Sequence, residues 1–294
     1  MARDGIALAL HGGASATRDG AYGREIVNMR GVVEAARDSL RAGSSALDTA
    51  VNAVAALELS GLYVAGRGAW PNANGEYELD ACVMDGSNAM AGAVAAITGI
   101  KSPIWAARAV MEKTPHVILS GAGATAFARG RGIETIDDPS HWFVHAGPGQ
   151  PDADILPIGT VGCVVRDAEG RLAAATSTGG VLRKMAGRLG DSPVPGAGIW
   201  ADQAVAVCAT GQGEYFLRIA AAAQVAYRLR FGGQSLEEAL NSALQEIMRL
   251  GGIGGMIGVD ALGHVSMHFI SALMKRAALY SDGRIVAGVD AELM

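Results

Sequence analysis

Several protein classes are excluded by what the 294-residue chain lacks. Its three cysteines are too few, and odd in number, to build a disulfide framework. Basic residues are in the minority: 24 Lys and Arg stand against 29 Asp and Glu, a formal net charge of −5. A nucleic-acid-binding protein usually gathers a basic excess on one face, so none is expected as a partner. Half the residues are apolar, yet no stretch approaches the roughly 20 continuous apolar residues of a membrane span. The first apolar run, Gly5 to Leu10, is too short for the hydrophobic part of a signal peptide. A soluble protein of the reducing cytoplasm is the expectation. Aromatics are scarce at 5%, whereas glycine contributes 41 residues, about twice the usual ~7%. Backbones must therefore approach one another or a ligand closely at many points.

The patterning predicts a strand over Gly5 to Leu10, followed by a tight turn at His11-Gly12-Gly13-Ala14. Helices are expected from Glu25 to Ala42 and from Ser45, whose hydroxyl can cap the first turn with Asp48 favourably placed there. Short strands follow at Ala81 to Met84 and Ala91 to Ile97, a helix at Pro103 and a strand at His116 to Ser120. Four of the nine prolines fall between Pro139 and Pro157, so residues 139–158 read as a flexible connector without helix or strand. Thr160 to Arg166 and Arg171 to Ser177 then form a hairpin about Asp167 to Gly170, and Ala204 to Ala209 a further strand. Gly211 to Phe231 reads as one long helix, and Ser235 with Glu238 makes a capping box for another. The tail alternates as strands. Elements clustered in blocks favour a layered α+β fold over a doubly wound parallel sheet.

The join at Gly159-Thr160 carries the chemistry. Cutting there would give Thr160 a free α-amine beside its own hydroxyl. Such an amine has an unperturbed pKa of about 7.7 to 8.0 and can serve as general base toward Oγ without a histidine. The cut can be autocatalytic, with Oγ attacking the Gly159 carbonyl, since glycine tolerates the strained backbone this requires. By itself Gly-Thr at a strand start is commonplace.

Its surroundings are not. Gly159-Thr160-Val161-Gly162, Ala174-Ala175-Thr176-Ser177-Thr178-Gly179-Gly180, Gly187-Arg188-Leu189-Gly190-Asp191-Ser192-Pro193 and Thr210-Gly211-Gln212-Gly213-Glu214 occur in that order. Together with His11-Gly12-Gly13-Ala14, Leu79 to Gly86 and Gly92-Ala93-Val94, this series resembles the plant-type asparaginases, or isoaspartyl peptidases, which are N-terminal-nucleophile hydrolases. The resemblance implies a single domain over 1–294 with an αββα sandwich, cut into an α chain (1–159) and a β chain (160–294), and a dimer of such αβ units. It implies L-asparagine and β-aspartyl dipeptides as substrates. Thr160 would be the nucleophile and Thr178 the hydroxyl that orients it. Thr210 and the Gly211 N–H would form the oxyanion hole, Arg188 would clamp the substrate α-carboxylate, and Asp191 with the Gly213 carbonyl would take the α-ammonium. Gly211, read as a helix start, would favour developing negative charge by its own position. No catalytic cofactor is implied. A structural sodium ion is, held by backbone carbonyls of Leu57, Glu58, Ser60, Tyr63 and Ala65. The chain departs from the family at Val64, where Asn near the nucleophile is usual.

Two rival readings come from other classes. His116 to Ser120 followed by Gly121-Ala122-Gly123-Ala124-Thr125-Ala126, with Asp137 beyond, fits the strand, GxGxxA and helix of an NAD-binding oxidoreductase. Alternatively, Val64 would mark an uncleaved, non-enzymatic homologue. Neither His141 with His145 nor His264 with His268 has the setting of a metal site.

Overall fold

A computed structural model describes residues 5–15, 20–146 and 159–290. From the N-terminus run β1 (Ala7–Ser15), α1 (Gly23–Arg41), α2 (Ala46–Ser60), β2 (Leu79–Asp85), β3 (Met90–Ile97), α3 (Pro103–Lys113), β4 (Ile118–Ser120), α4 (Gly121–Gly130) and α5 (Pro139–Trp142). The second half holds β5 (Val161–Arg166), β6 (Leu172–Thr178), β7 (Ile199–Ala201), β8 (Val205–Gly211), α6 (Gly213–Ile219), α7 (Ala221–Gly232) and α8 (Leu236–Arg249). β9 (Gly254–Asp260), β10 (Val265–Phe269), β11 (Leu273–Leu279) and β12 (Ile285–Gly288) complete it. The strands form an eight-stranded sheet, β12-β11-β1-β5-β6-β2-β3-β4, and a four-stranded one, β10-β9-β8-β7.

Side-chain alternation along the strands builds the layers. In β1, Leu8 and Leu10 join the core beneath α1, α2 and α3, while Ala7 and Ala9 face the second sheet. In β8, Val205 and Val207 pack under α7 and α8, while Ala206 and Cys208 face the first sheet. Between the sheets, alanines of β1, β6 and β8 mix with aliphatic residues such as Val164, Leu172, Ile199, Ile257 and Val259, so the contact is made without aromatic side chains at its centre. The result is the αββα sandwich, helix on sheet on sheet on helix. Local signals hold at the helix ends: Ser45 accepts from the Asp48 N–H at 3.1 Å, and Ser235 and Glu238 form both halves of a capping box.

Three expectations are corrected. β1 does not stop at Leu10 for a turn; it continues to Ser15, and its register against β11 shifts between His11 and Ala14. A bulge at Gly12-Gly13 allows this, with Gly13 at φ +99° and no room at Gly12, where a Cβ would stand 2.5 Å from the Tyr63 ring. The helix expected from Gly211 to Phe231 is three pieces. Gly211 ends β8 in register with Gly254, α6 starts two residues later, and Ala220 at φ +50° separates α6 from α7. There the Ala222 and Ala223 amides donate to the Ala197 and Gly196 carbonyls, which draws the chain off the helix axis. The first eight residues of the expected connector, 139–146, are also structured. Pro139–Trp142 is a helical turn capped by Asp138, and Trp70 donates to the Ala146 carbonyl at 2.9 Å while Tyr77 stacks on Phe143. Residues 147–158 of the expected connector lie outside the described residues. Among the described residues no helix is long and apolar enough to cross a membrane.

Candidate active site

The alternation that layers the fold also assembles the site. Val161 and Cys163 of β5 face the helices, so Thr160 turns between the sheets. Ala174 and Ala9 mark that same face, and with them go Thr176 and Thr178 on β6 and His11 on β1. Thr210 follows Ala206 and Cys208 on β8. His11, Thr160, Thr176, Thr178 and Thr210 are all buried.

Each has a partner. Thr178 donates to the carbonyl of Gly159 at 2.7 Å and accepts from the Gly180 N–H at 2.9 Å. Thr160 Oγ1 lies 3.0 Å from Ser192 Oγ, and the Ser192 carbonyl is held by Thr176 at 2.8 Å. His11 Nδ1 lies 2.9 Å from the Thr160 carbonyl; a carbonyl only accepts, so Nδ1 carries the hydrogen. Burial pushes the His11 imidazole down to about 4, keeping it neutral, and its Nε2 has no partner. Thr210 Oγ1 accepts from the Ala14 N–H at 3.3 Å across the two sheets, which leaves the hydroxyl hydrogen to donate elsewhere.

Across from the threonines are charged groups of a different character. Asp191 is buried, its carboxyl pushed up to about 7 chiefly by that burial, with Arg188 acting in the opposite direction. One carboxylate oxygen, Oδ2, has no partner; the other lies 2.7 Å from where a Gly213 Cβ would stand. A buried carboxylate with an unfilled lone pair suits an incoming ammonium. The Arg188 guanidinium closes on one oxygen of Glu214, through Nε at 2.9 Å and its terminal nitrogen at 2.8 Å. Glu214 is mostly exposed, so this pair is worth only ~0.2–1 kcal/mol and can be exchanged for another carboxylate.

At two positions the contacts differ from those expected. Thr178 touches the Gly159 carbonyl rather than the Thr160 hydroxyl, whose partner is Ser192. Gly211 does not open a helix. Gln212 N–H donates to the Ile253 carbonyl at 3.1 Å, so alternation along the ladder puts Gly211, opposite Gly254, in a non-bonded position with its N–H turned away from β9. Its N–H thus leaves the edge of a strand and not the start of a helix. Ser192, His11, Thr176 and Glu214 are missed by the sequence reading as site residues, though all four stand inside quoted motifs.

A family model described as Asparaginase matches residues 4–146 and 139–288. The chain belongs to the asparaginase family. It is 41% identical to an isoaspartyl peptidase of Salmonella typhimurium, covering 96% of this chain and 97% of that protein. An isoaspartyl peptidase of Escherichia coli is 40% identical, with 96% and 95% covered. An isoaspartyl peptidase/L-asparaginase of Mus musculus is 39% identical, with 97% and 91% covered. Membership makes the chain an amidohydrolase of the N-terminal-nucleophile kind and overturns the oxidoreductase reading. Gly121 to Ala126 begin α4 after β4, a three-residue edge strand that is largely exposed, far from the buried crevice a dinucleotide fold requires. The non-enzymatic reading fails likewise. Within this family frame Val64 gains a location. It is buried, and its Cβ lies 2.7 Å from where a Gly159 Cβ would stand. Cys82, Cys163 and Cys208 are buried free thiols, each pushed upward by burial and unsuited to attack.

Proposed function

We propose that the chain cuts itself between Gly159 and Thr160, giving an α chain of 1–159 and a β chain from 160, and then hydrolyses β-aspartyl amides. The carrying observation is that Thr160, with its hydroxyl on Ser192, follows a glycine whose carbonyl is gripped by Thr178. That donor polarises the carbonyl which Thr160 Oγ attacks; the Gly159 C–Thr160 N bond breaks as the hydroxyl proton passes to the nitrogen, and water opens the resulting ester, releasing the Gly159 carboxylate. The new Thr160 amine then takes the hydroxyl proton in each cycle. Oγ adds to the side-chain carbonyl of L-asparagine or to a β-aspartyl peptide carbonyl, with the oxyanion on the Thr210 hydroxyl and the Gly211 N–H. The amine passes its proton to the leaving nitrogen, and water hydrolyses the aspartyl ester. Arg188 exchanges Glu214 for the substrate α-carboxylate, and Asp191 with the Gly213 carbonyl receives the α-ammonium.

The loop of residues 57–66 bears on stability rather than chemistry. The Leu57 carbonyl accepts from Ser60 at 2.8 Å and the Tyr63 carbonyl from Ala65 at 2.7 Å, and each keeps a second lone pair. Neutral carbonyl oxygens suit a hard monovalent cation, so Leu57, Glu58, Ser60, Tyr63 and Ala65 would hold sodium and stiffen the wall beside Val64. The buried free thiols fit the cytoplasm, and the mature protein pairs two αβ units. Incubation followed by intact-mass measurement and N-terminal sequencing tests the nucleophile without presuming a substrate: a second fragment beginning at Thr160 is expected. Any other start, or an intact folded chain inert toward β-aspartyl amides, overturns the reading.

A further inference from the structure

The chain from Gly179 to Gly198, between β6 and β7, contains no strand or helix, yet it carries both Arg188 and Asp191. Its outer side lies in water, with Met185 and Leu189 exposed. Its inner side does not. There Lys184 and Glu78 are buried against each other, with Lys184 Nζ donating to the Glu78 backbone carbonyl at 3.1 Å and lying 3.7 Å from the Glu78 carboxylate. Both oxygens of that carboxylate accept from the Gly187 N–H, at 3.0 and 3.1 Å. Gly187, at φ +77°, is the residue before Arg188, and the Arg188 N–H closes onto the Met185 carbonyl at 3.0 Å. The Lys184 carbonyl accepts from the Ala73 N–H at 2.8 Å, and its aliphatic stem covers Gly180, where a Cβ would stand 2.7 Å from Lys184 Cδ. Glu78 immediately precedes β2, so the large sheet is tied through two charged side chains to the peptide ahead of the guanidinium. A buried ion pair adds little net stability, because desolvating two charges offsets their attraction. The value of this one lies in where it holds the loop.

We infer that Glu78 and Lys184 are positioning residues for substrate recognition: together they hold the Gly187–Arg188 peptide so that the Arg188 guanidinium meets the α-carboxylate of the aspartyl head. This rests on the proposed role of Arg188 as the carboxylate clamp. Lys184, whose side chain is fully buried, does not itself touch substrate. The long Arg188 side chain stays free to exchange partners while its backbone is fixed. A planar guanidinium makes two parallel hydrogen bonds to a carboxylate only over a narrow range of placements, so a shift at its root is felt as lost affinity for that one group.

The test compares kcat/KM of the mature protein, its cut verified by mass, for L-asparagine and for L-aspartic diamide, in which a neutral amide replaces the α-carboxylate; loss of the side-chain amide is followed in both. Their ratio reads the clamp alone, and about 10²-fold in favour of asparagine is expected for the wild type. Glu78→Ala should still cut at Thr160 and lower that ratio by about tenfold. The double variant Glu78→Leu/Lys184→Met, expected to do the same, covers the case in which a lone buried Lys184 charge prevents folding. In an Arg188→Ala background the same changes should leave the ratio where Arg188→Ala alone puts it. A merely structural role would slow both amides alike, so an unchanged ratio in a matured variant overturns the inference. So does a further fall in the Arg188→Ala background, or failure of both variants to mature. Wild-type protein that stays uncut, or that does not distinguish the two amides, brings down the reading of Thr160 or of Arg188 instead, so the two failures are distinguishable.

Discussion

The floor of the site and its rim are built on opposite physical terms. On the floor, Thr160, Thr178, Thr210 and His11 stand on strands of two packed sheets, buried, with partners that are mostly backbone groups fixed by the ladders. On the rim, Arg188 and Glu214 meet through long side chains, with Glu214 mostly in water and Met185 and Leu189 nearby exposed. Asp191 sits between, buried like the floor yet incompletely bonded like the rim. Bond-making demands atoms that do not move, because small misplacement costs rate steeply. Recognition demands partners that can be traded. The two requirements are met by different parts of the fold.

Substitutions should separate the two regions. Thr160→Ala is expected to abolish both cutting and turnover, leaving one full-length band on a denaturing gel and no ammonia release from asparagine. Arg188→Ala should raise KM for β-aspartyl substrates by about 10²-fold, the loss of a charge-assisted clamp, while the chain still cuts; failure to cut would make Arg188 part of the floor and dissolve the contrast. Thr178→Val removes the donor on the Gly159 carbonyl, so cutting should slow by about 10²- to 10³-fold in a time course followed by mass. The pH profile sharpens the middle ground. Asp191, held up at about 7 by burial, must lose its proton to take an ammonium, and the Thr160 amine must be neutral to act as base. Both requirements make kcat/KM rise with pH from about 6 to 8. Asp191→Asn should remove the lower of the two steps in that profile as well as weakening binding. The smallest effect belongs to Glu214→Gln, which frees Arg188 from a weak rival and should lower KM by about two- to threefold; an increase in KM would mean that Glu214 aims the guanidinium rather than competing for it.

Legibility from sequence followed the range of the interactions. The caps at Ser45 and Ser235 were readable because donor and acceptor lie three residues apart, and the strand runs of β5 and β6 because alternation repeats every second residue. Gly211 was misread because the Gly- and Ala-rich stretch after it has helical composition, whereas pairing with Gly254 across 43 residues keeps it in a strand. Ser192 was quoted but given no role, since its contact with Thr160 spans 32 residues and needs the loop between β6 and β7 to fold back over β5. The pairing of Arg188 with Glu214 was hidden for the same reason.

What the sequence determined alone was the choice of chemistry: a threonine after a glycine at a strand start, hydroxyls at 178 and 210, and an Arg and Asp three apart in a glycine-rich loop. Those identities set which atoms can attack, donate or bind charge, and no folding changes them. Tertiary structure decided which hydroxyl touches which carbonyl, that Thr178 grips Gly159 while Ser192 meets Thr160, and that Val64 stands beside Gly159. Those relations depend on the pairing of β5 with β6 and on loops folding back against that sheet, and not on any local run of residues.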